Sequence, residues 1–552
     1  MRRVLRAGVA AGALALLIAA VASGSANSPS QSSTTLVFGA AADPVVLDAA
    51  LISDGESFRV VYQITETLVG LRPGTTQLAP MLATKWVKSN GGRRWTFTLR
   101  RNVEFHDGTP FNAAAVCANF NRWYNFKGAQ QSSSASYYYN YVFGGFKTKG
   151  AKDALYRNCS ARGSNVAVIN LKRPYGPFLA AMTLSPFAIQ SPTSMKENGA
   201  DKGRLTSDGV YQPLGEYGVP GGVAAGTGPF KLDSWRIGDK LELERNDDYW
   251  GRRPSLTRLI FRAIPDNAAR LQALQTGEID GYDLVEPQDI STLRRSSSLK
   301  VLDRPAFNVG YVGINRSVEP FDNILVRRAV AHGLDRAAVV RSFYAGRGVV
   351  AHEFMPPSVP GYSTRVPKYA YSPNRAKALL RQAGLTLPVE VEFWWPADVS
   401  RPYMPNPKNN FQAFAASLNK SGFKVVAKSA PWNPTYLGRA DAGTAGALHL
   451  LGWTGDFGDA STFLDGVLRS YKQFGLPEDY ALYKLLDKAL IDTDADVRNA
   501  TYRAFNNASM KDLIGVPYVH TRPALAFKRG VLGYKPSPTT SESFASVRKT
   551  GS

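Results

Sequence analysis

The chain has 552 residues, 44% of them apolar and 20% charged, a length beyond the ~250–300 residues at which a single hydrophobic core stops growing, so two or three domains are expected. Nine Trp, 25 Tyr and 27 Phe exclude disorder across most of the chain, and 49 Gly with 34 Pro predict many turns and long connections. The formal charge of +22 draws the protein towards anionic surfaces, but Lys and Arg are scattered with no basic block or nucleic-acid motif, so no nucleic-acid partner is expected. An anionic wall, a membrane face or a soluble surface with a basic bias each accommodates the charge.

Residues 1–26 read as a secretory signal: Arg2, Arg3 and Arg6 precede an apolar run over 7–22, and Ala20-Val21-Ala22 or Gly24-Ser25-Ala26 offers a cleavage site. The run is shorter than the ~20 residues of a bilayer span, although an uncleaved anchor is the alternative. Arg2-Arg3 leaves a twin-arginine route open beside the general one. No cysteine follows the run, so a lipid-modified cysteine is not expected. Residues 27–34 form a flexible leader, and loss of the three arginines leaves +19. The protein is therefore expected outside the cytoplasm, periplasmic, envelope-associated or secreted. Two cysteines, Cys117 and Cys159, suggest a disulfide in an exported chain, with two buried thiols as the alternative.

Thr35 to Phe38 is a short strand, 60–71 has helical spacing, and 95–100 alternates as a half-buried strand. Residues 105–110 make a turn before a helix that starts after Asn112 and carries Cys117, Phe120 and Trp123. Residues 126–164 read as surface excursions, and the four tyrosines of 134–143 as a packed loop, with a ligand-facing run as the second reading. Residues 215–228 mark a boundary or hinge-like crossing, 240–245 a strand, and 266–277 a helix capped by Asp266 and stopped by Gly277. Helices are expected over 322–333, 335–346, around 411–418, 477–492 and 495–513, with a strand at 389–394. The mixture predicts α/β or α+β domains.

The five histidines are not at zinc-pair spacing. No G-x-S-x-G elbow or phosphate loop occurs, and Gly226-Thr227-Gly228-Pro229 is no dinucleotide fingerprint. A carboxylate pair for glycoside hydrolysis stays open, because its spacing is spatial. The expectation is a binding protein, not an enzyme, with no catalytic residue, metal or cofactor. Its most pointed feature is residues 453–459, Trp-Thr-Gly-Asp-Phe-Gly-Asp, after the apolar run 447–451. Polar groups at a strand end in α/β layers are where ligands bind, and a carboxylate there can hold an ammonium group. Asp459 reads instead as a helix cap.

Five ordered stretches resemble the extracytoplasmic solute-binding proteins, family 5, of oligopeptide, dipeptide and nickel ABC importers. They are 82–111, 226–251 (with Gly226-Thr227-Gly228-Pro229-Phe230 and Asn246-Asp247-Asp248-Tyr249-Trp250), 274–280, 315–336 and 452–464. The resemblance implies an α/β fold of two lobes, the type II, cluster C periplasmic-binding-protein fold with an extra domain. Domain I would comprise 35–70, 205–305 and 520–552, domain II 71–204 and domain III 306–519, which places Cys117 and Cys159 together in domain II. It implies capture of a di- or oligopeptide between domains I and III by hinge closure, the receptor acting as a monomer and delivering to ABC permease subunits with a cytoplasmic ATPase. Trp453 and Asp456 match a W-x-x-D segment whose carboxylate holds a peptide ammonium; Trp432 resembles a tryptophan that walls the side-chain pockets; Tyr311, Glu56 and Ser57 are softer matches to ligand-facing positions. Phe457 stands where many members have Tyr. A non-peptide solute such as a metal chelate, opine or oligosaccharide, a secreted hydrolase, and a ligand-presenting sensor are the alternatives.

Overall fold

The computed structural model describes residues 34–207, 209–469 and 472–550; the signal and most of the leader lie outside them. Three sheets carry the fold. A seven-stranded sheet is ordered Phe230–Arg236, Lys240–Arg245, Arg258–Ala263, Thr35–Ala40, Gly281–Asp283, Ala524–Lys528, Leu299–Asp303. Thr35–Ala40 is parallel to both its neighbours. A six-stranded sheet is ordered Gly348–Val349, Gly515–Thr521, Asn308–Ile314, Leu448–Thr454, Val389–Pro396, Phe423–Ala430. An antiparallel four-stranded sheet is ordered Ala83–Ser89, Arg94–Leu99, Val166–Leu171, Tyr156–Ala161.

One continuous apolar core joins the seven- and four-stranded sheets into a first lobe, and a separate core surrounds the six-stranded sheet in a second. The chain passes between the two large sheets twice, after Asp303 and after Thr521. The crossings touch: the Arg304 N–H donates to the Pro523 carbonyl at 2.8 Å. Residues 215–228, read as a boundary or a hinge-like crossing, are not a crossing between the lobes; they lie within the first lobe. There a Cβ on Gly226 or Gly228 would meet the backbone of residues 63–65 at 2.3–2.7 Å, so the close approach requires glycine.

Alternation sets the four-stranded sheet in place: Trp95, Phe97 and Leu99 enter the core while their neighbours face outward. Cys117, on the helix Ala113–Tyr124, is disulfide-bonded to Cys159 on the edge strand Tyr156–Ala161, which pins the helix to the sheet. Asp266 caps Asn267–Thr276 by accepting from the Ala269 N–H at 2.8 Å, and Gly277 ends it at φ +89°.

Further local expectations change: residues 126–164, read as surface excursions, contain a buried helix and the edge strand Tyr156–Ala161, and the helix expected over 477–492 is confined to Tyr483–Ile491. The helical spacing of 60–71 belongs to an earlier helix, Gly55–Ile64, capped by Asp54, after which the chain turns into the strand Val69–Leu71. The tyrosine run is a helix, Ser133–Phe143, broken at Ser136. Tyrosine and serine are indifferent helix formers, so local propensity does not decide it. Tyr138, Tyr139, Val142 and Phe143 are buried against the first-lobe core, and that packing does.

The lobes meet along a seam. Phe457, a residue of the second lobe by chain position, is fully buried in the first-lobe core, with Tyr141 at 6.4 Å. The Tyr141 hydroxyl donates to the Ser461 carbonyl (3.2 Å), Lys88 Nζ to the Thr493 carbonyl (2.9 Å), and the Gly176 N–H to the Leu490 carbonyl (2.7 Å).

Candidate functional site

A cavity of about 310 Å³ lies between the lobes, a size suited to a small ligand. The second lobe contributes Arg401 to Tyr403, Trp432 and Gly452 to Asp456; the first contributes Glu56, Arg59, Tyr138, Asp283, Arg304 and residues 539–541.

The strand Leu448–Thr454 delivers Asp456. At Gly455 the chain passes so close to Phe307 and Phe463 that a Cβ would meet their rings at 2.3–2.6 Å. Thr462, the second residue of the helix Ser461–Leu468, accepts from the Asp456 N–H and donates to Oδ2, both at 3.0 Å. From the first lobe, the Tyr138 hydroxyl donates to Oδ1 at 2.9 Å. Burial pushes the Asp456 carboxyl up to about 6, against the two hydroxyl bonds that favour its charge. At neutral pH it is an ionised acceptor in a poorly solvated wall, which is a site for an ammonium group.

Trp432 starts a π-helical turn, Trp432–Tyr436; its backbone N–H donates to Asp398 Oδ1 at 2.7 Å and its ring stacks on Tyr436. The Arg401 guanidinium lies over the Trp432 ring, 4.5 Å from its centroid, with Nε buried and unpartnered among the described residues. A guanidinium held by an aromatic face, with donors to spare, is a site for a carboxylate.

The first-lobe wall is a buried charge network. Asp54 accepts from the Glu56 and Ser57 N–H groups and so fixes the first turn of Gly55–Ile64. Arg59 Nε donates to Glu56 (3.0 Å) and its Nη2 to Asp283 (2.7 Å); Arg304, on the first crossing, pairs with Glu542 (2.6 Å) and Asp283 (3.6 Å). Burial raises the Glu56 carboxyl, while Asp283 is held low, despite its burial, by Arg59 and Arg304. Leu284 (φ +58°) and Thr540 (φ +61°) line the cavity in the left-handed region, where Leu and Thr are strained.

Of the residues singled out from sequence, Asp456, Trp453, Trp432 and Glu56 line the cavity. Ser57 does not: it is fully buried behind the helix, its Oγ accepting from the Val45 N–H at 2.8 Å. Tyr311 does not either. It is 1% exposed in the second-lobe core, packed on Phe354 and Phe474, with its hydroxyl donating to Gln473 at 3.1 Å. Asp459, read as a helix cap, stands one residue before the N-cap Ala460 of Ser461–Leu468; it accepts from the Ser461 N–H (3.0 Å) and pairs with Arg498 (3.1 Å). Sequence reasoning passed over Arg401, Arg59, Asp283, Arg304 and 539–541. Tyr138 lay in a run whose ligand-facing reading ranked second.

A cavity between two α/β lobes that share two adjoining crossings defines a hinge-closing binding fold. The family model described as bacterial extracellular solute-binding proteins, family 5 (middle), matches residues 77–475. The chain is 30% identical over 437 residues to the dipeptide-binding protein of Escherichia coli K12, covering 78% of this chain and 77% of that one. It is 29% identical to heme-binding protein A of Haemophilus influenzae, covering 95% and 93%. The crystal structure of a dipeptide-binding protein from Pseudoalteromonas sp. SM9913 in complex with Met-Leu superposes with a TM-score of 0.78 at 25% identity, covering 94% of this chain and all of that one. The protein belongs to the extracellular solute-binding proteins, family 5, whose members are binding proteins.

Proposed function

We propose that the protein is the peptide-capturing receptor of an ABC importer, acting outside the cytoplasm. A short peptide enters between the open lobes; closure removes it from water and strengthens its ionic anchors. The α-ammonium group pairs with Asp456, the α-carboxylate pairs with Arg401, and Trp432 and Trp453 wall the side chains. Glu56 and the network behind it form the opposite wall. Capture involves no bond-making step. The receptor works as a monomer and passes its ligand to permease subunits served by a cytoplasmic ATPase.

The observation that carries this reading is the Asp456 carboxylate on the wall of the cavity between the lobes, with Arg401 on the same lobe. The division into domain I (35–70, 205–305 and 520–552), domain II (71–204) and domain III (306–519) is supported in outline by the sheets: the seven-stranded sheet draws its strands from the three domain I segments and the four-stranded sheet lies within domain II, although the strands Val69–Leu71, Gly203–Leu205 and Gly515–Thr521 each run across a boundary. The relatives with peptide-binding names support the choice of ligand.

Titration calorimetry with Ala-Phe, N-acetyl-Ala-Phe and Ala-Phe-amide tests it. Ala-Phe should bind, and at a hundredfold excess over Kd stabilise the fold by about 2.7 kcal/mol. Each blocked peptide should bind at least tenfold more weakly. Equal affinity for all three would overturn the assignment of the anchors, and binding of none across a dipeptide library would overturn the ligand class.

A further inference from the structure

The positive charge is not spread evenly over the molecule. Residues 71–204 hold 19 Lys and Arg against five Asp and Glu, a net +14 in about a quarter of the chain. Scattered in sequence, much of this charge is gathered by the register of the four-stranded sheet. Arg94 starts one strand, with Arg93 just before it, and lies opposite Asn170, which in turn lies opposite Asn158. This brings Arg157 at the start of the edge strand, and Lys172 and Arg173 just past the end of Val166–Leu171, to the same end of the sheet. The loop 144–155 folds onto that end. The Lys172 N–H donates to the Leu155 carbonyl at 2.8 Å, Lys172 Nζ bonds the Ala151 carbonyl, and Arg173 Nη1 donates to the Asp153 carbonyl at 2.8 Å. The loop adds Lys147, Lys149 and Lys152, all exposed.

Eight cations thus gather at this end of the sheet, where Asp153 is the one acid of segment 71–204; Asp492, Asp494 and Asp496 of the second lobe flank Thr493, which packs against Gly92 beside them. Among the described residues, the ion pairs of segment 71–204 are those of Arg122 with Asp48 and Asp201, so none of the eight is neutralised by a carboxylate. Like charges held this close on a rigid sheet end oppose folding unless an outside anion compensates them.

We propose that this face is a docking surface for the anionic phospholipid headgroups of a membrane, holding the receptor at the surface independently of its ligand cavity. The charge complementarity supports this occupant, and so does the geometry: strand ends and a loop bring separate cations to one end of a rigid sheet, as contact with many headgroups at once requires. Each Lys or Arg beside an anionic bilayer raises affinity roughly fivefold.

Co-sedimentation of the purified protein with phosphatidylglycerol vesicles, phosphatidylcholine vesicles and immobilised polyphosphate tests this. Binding is compared at ~0.01 M and ~1 M salt, where the screening length is about 30 Å and 3 Å. The wild type should bind phosphatidylglycerol at low salt, release at high salt, and ignore phosphatidylcholine. The triple variant Lys147→Glu, Lys149→Glu, Lys152→Glu should bind at least about a hundredfold more weakly. The control triple Arg375→Glu, Arg381→Glu, Lys420→Glu reverses three exposed cations on the second lobe and should lose less than about threefold. All six positions are solvent-facing or nearly so, and a thermal melt with peptide confirms that each variant folds and binds. Equal losses in the two triples, absence of phosphatidylglycerol binding at low salt, or capture by polyphosphate without capture by vesicles would each overturn the proposal.

Discussion

The Tyr138 hydroxyl, on a helix of the first lobe, donates to Oδ1 of Asp456, on the second, at 2.9 Å. One hydrogen bond therefore spans the seam and ends on the carboxylate to which the ligand ammonium is assigned. Closing the lobes and orienting the anchor are the same event. Phe457, the next residue, is buried in the first-lobe core beside Tyr141 and holds the same turn by packing.

Tyr138→Phe should weaken dipeptide binding by about tenfold, since a hydrogen bond to a charged group contributes roughly 1.5–3 kcal/mol and part of it is replaced by ligand and water. The ring and its packing on Phe58 remain, so thermal stability should change little. Calorimetry of the variant, with its melting temperature alongside, checks this; unchanged affinity would show that the hydroxyl does not couple closure to the anchor.

The pH dependence has a definite sign. The folded, ligand-free Asp456 carboxyl lies near 6, above its ordinary 3.8, so the folded state holds the proton more tightly than the unfolded chain. Its contribution to stability falls as pH rises from about 3.8 to about 6 and is level above that. Ligand binding runs the other way, because the ammonium needs the ionised form. Below pH 6 affinity should drop by about tenfold per unit, a slope that Asp456→Asn abolishes. Calorimetry from pH 4.5 to 8 reads both.

Arg401→Ala should cost about 2 kcal/mol or more of affinity for a free dipeptide, the scale of an ion pair losing one partner. For the C-terminally amidated peptide the same substitution should cost little. The double-mutant cycle, with the amide as the second change, isolates the pair. Equal losses for both peptides would assign Arg401 to the Trp432 wall alone.

Cys117 and Cys159 close a loop of 42 positions. Replacing both by Ser should lower stability by about 4 kcal/mol on the chain-entropy account. Denaturant melts of the variant, and of the wild type with and without reductant, measure it. Peptide affinity should be unaffected, because the bond lies in the four-stranded layer and not on the cavity wall.

Glu353 offers a second titration, remote from the cavity. It is fully buried, accepts from the Ser363 N–H at 2.9 Å through Oε1, leaves Oε2 unpartnered, and burial pushes its carboxyl up to about 8. The folded state keeps a proton that the unfolded chain releases above 4.5, so stability should fall as pH rises from 4.5 to about 8 and then level off. Glu353→Gln should remove about 1.4 kcal/mol per pH unit from that slope in denaturant melts.

The amino-acid sequence alone determined the family and the α/β class, and it singled out Asp456, Trp453 and Trp432, which line the cavity between the lobes. Those inferences rest on local features: alternation in 95–100, the cap and glycine stop of 266–277, and the ordered motif stretches. Tertiary structure decided what depends on residues far apart in the chain. It made a helix of the tyrosine run and set Tyr138 against Asp456, 318 positions away. It turned Tyr311 and Ser57 inward, because a side chain's direction follows from strand register and helix phase and not from its distance to a motif. It placed Arg401 over Trp432 and joined Arg59, Asp283, Arg304 and Glu542 from four separate segments. It also collected a basic face from residues that no sequence window brings together. Coulomb forces and packing act on distance in space, and folding alone sets that distance.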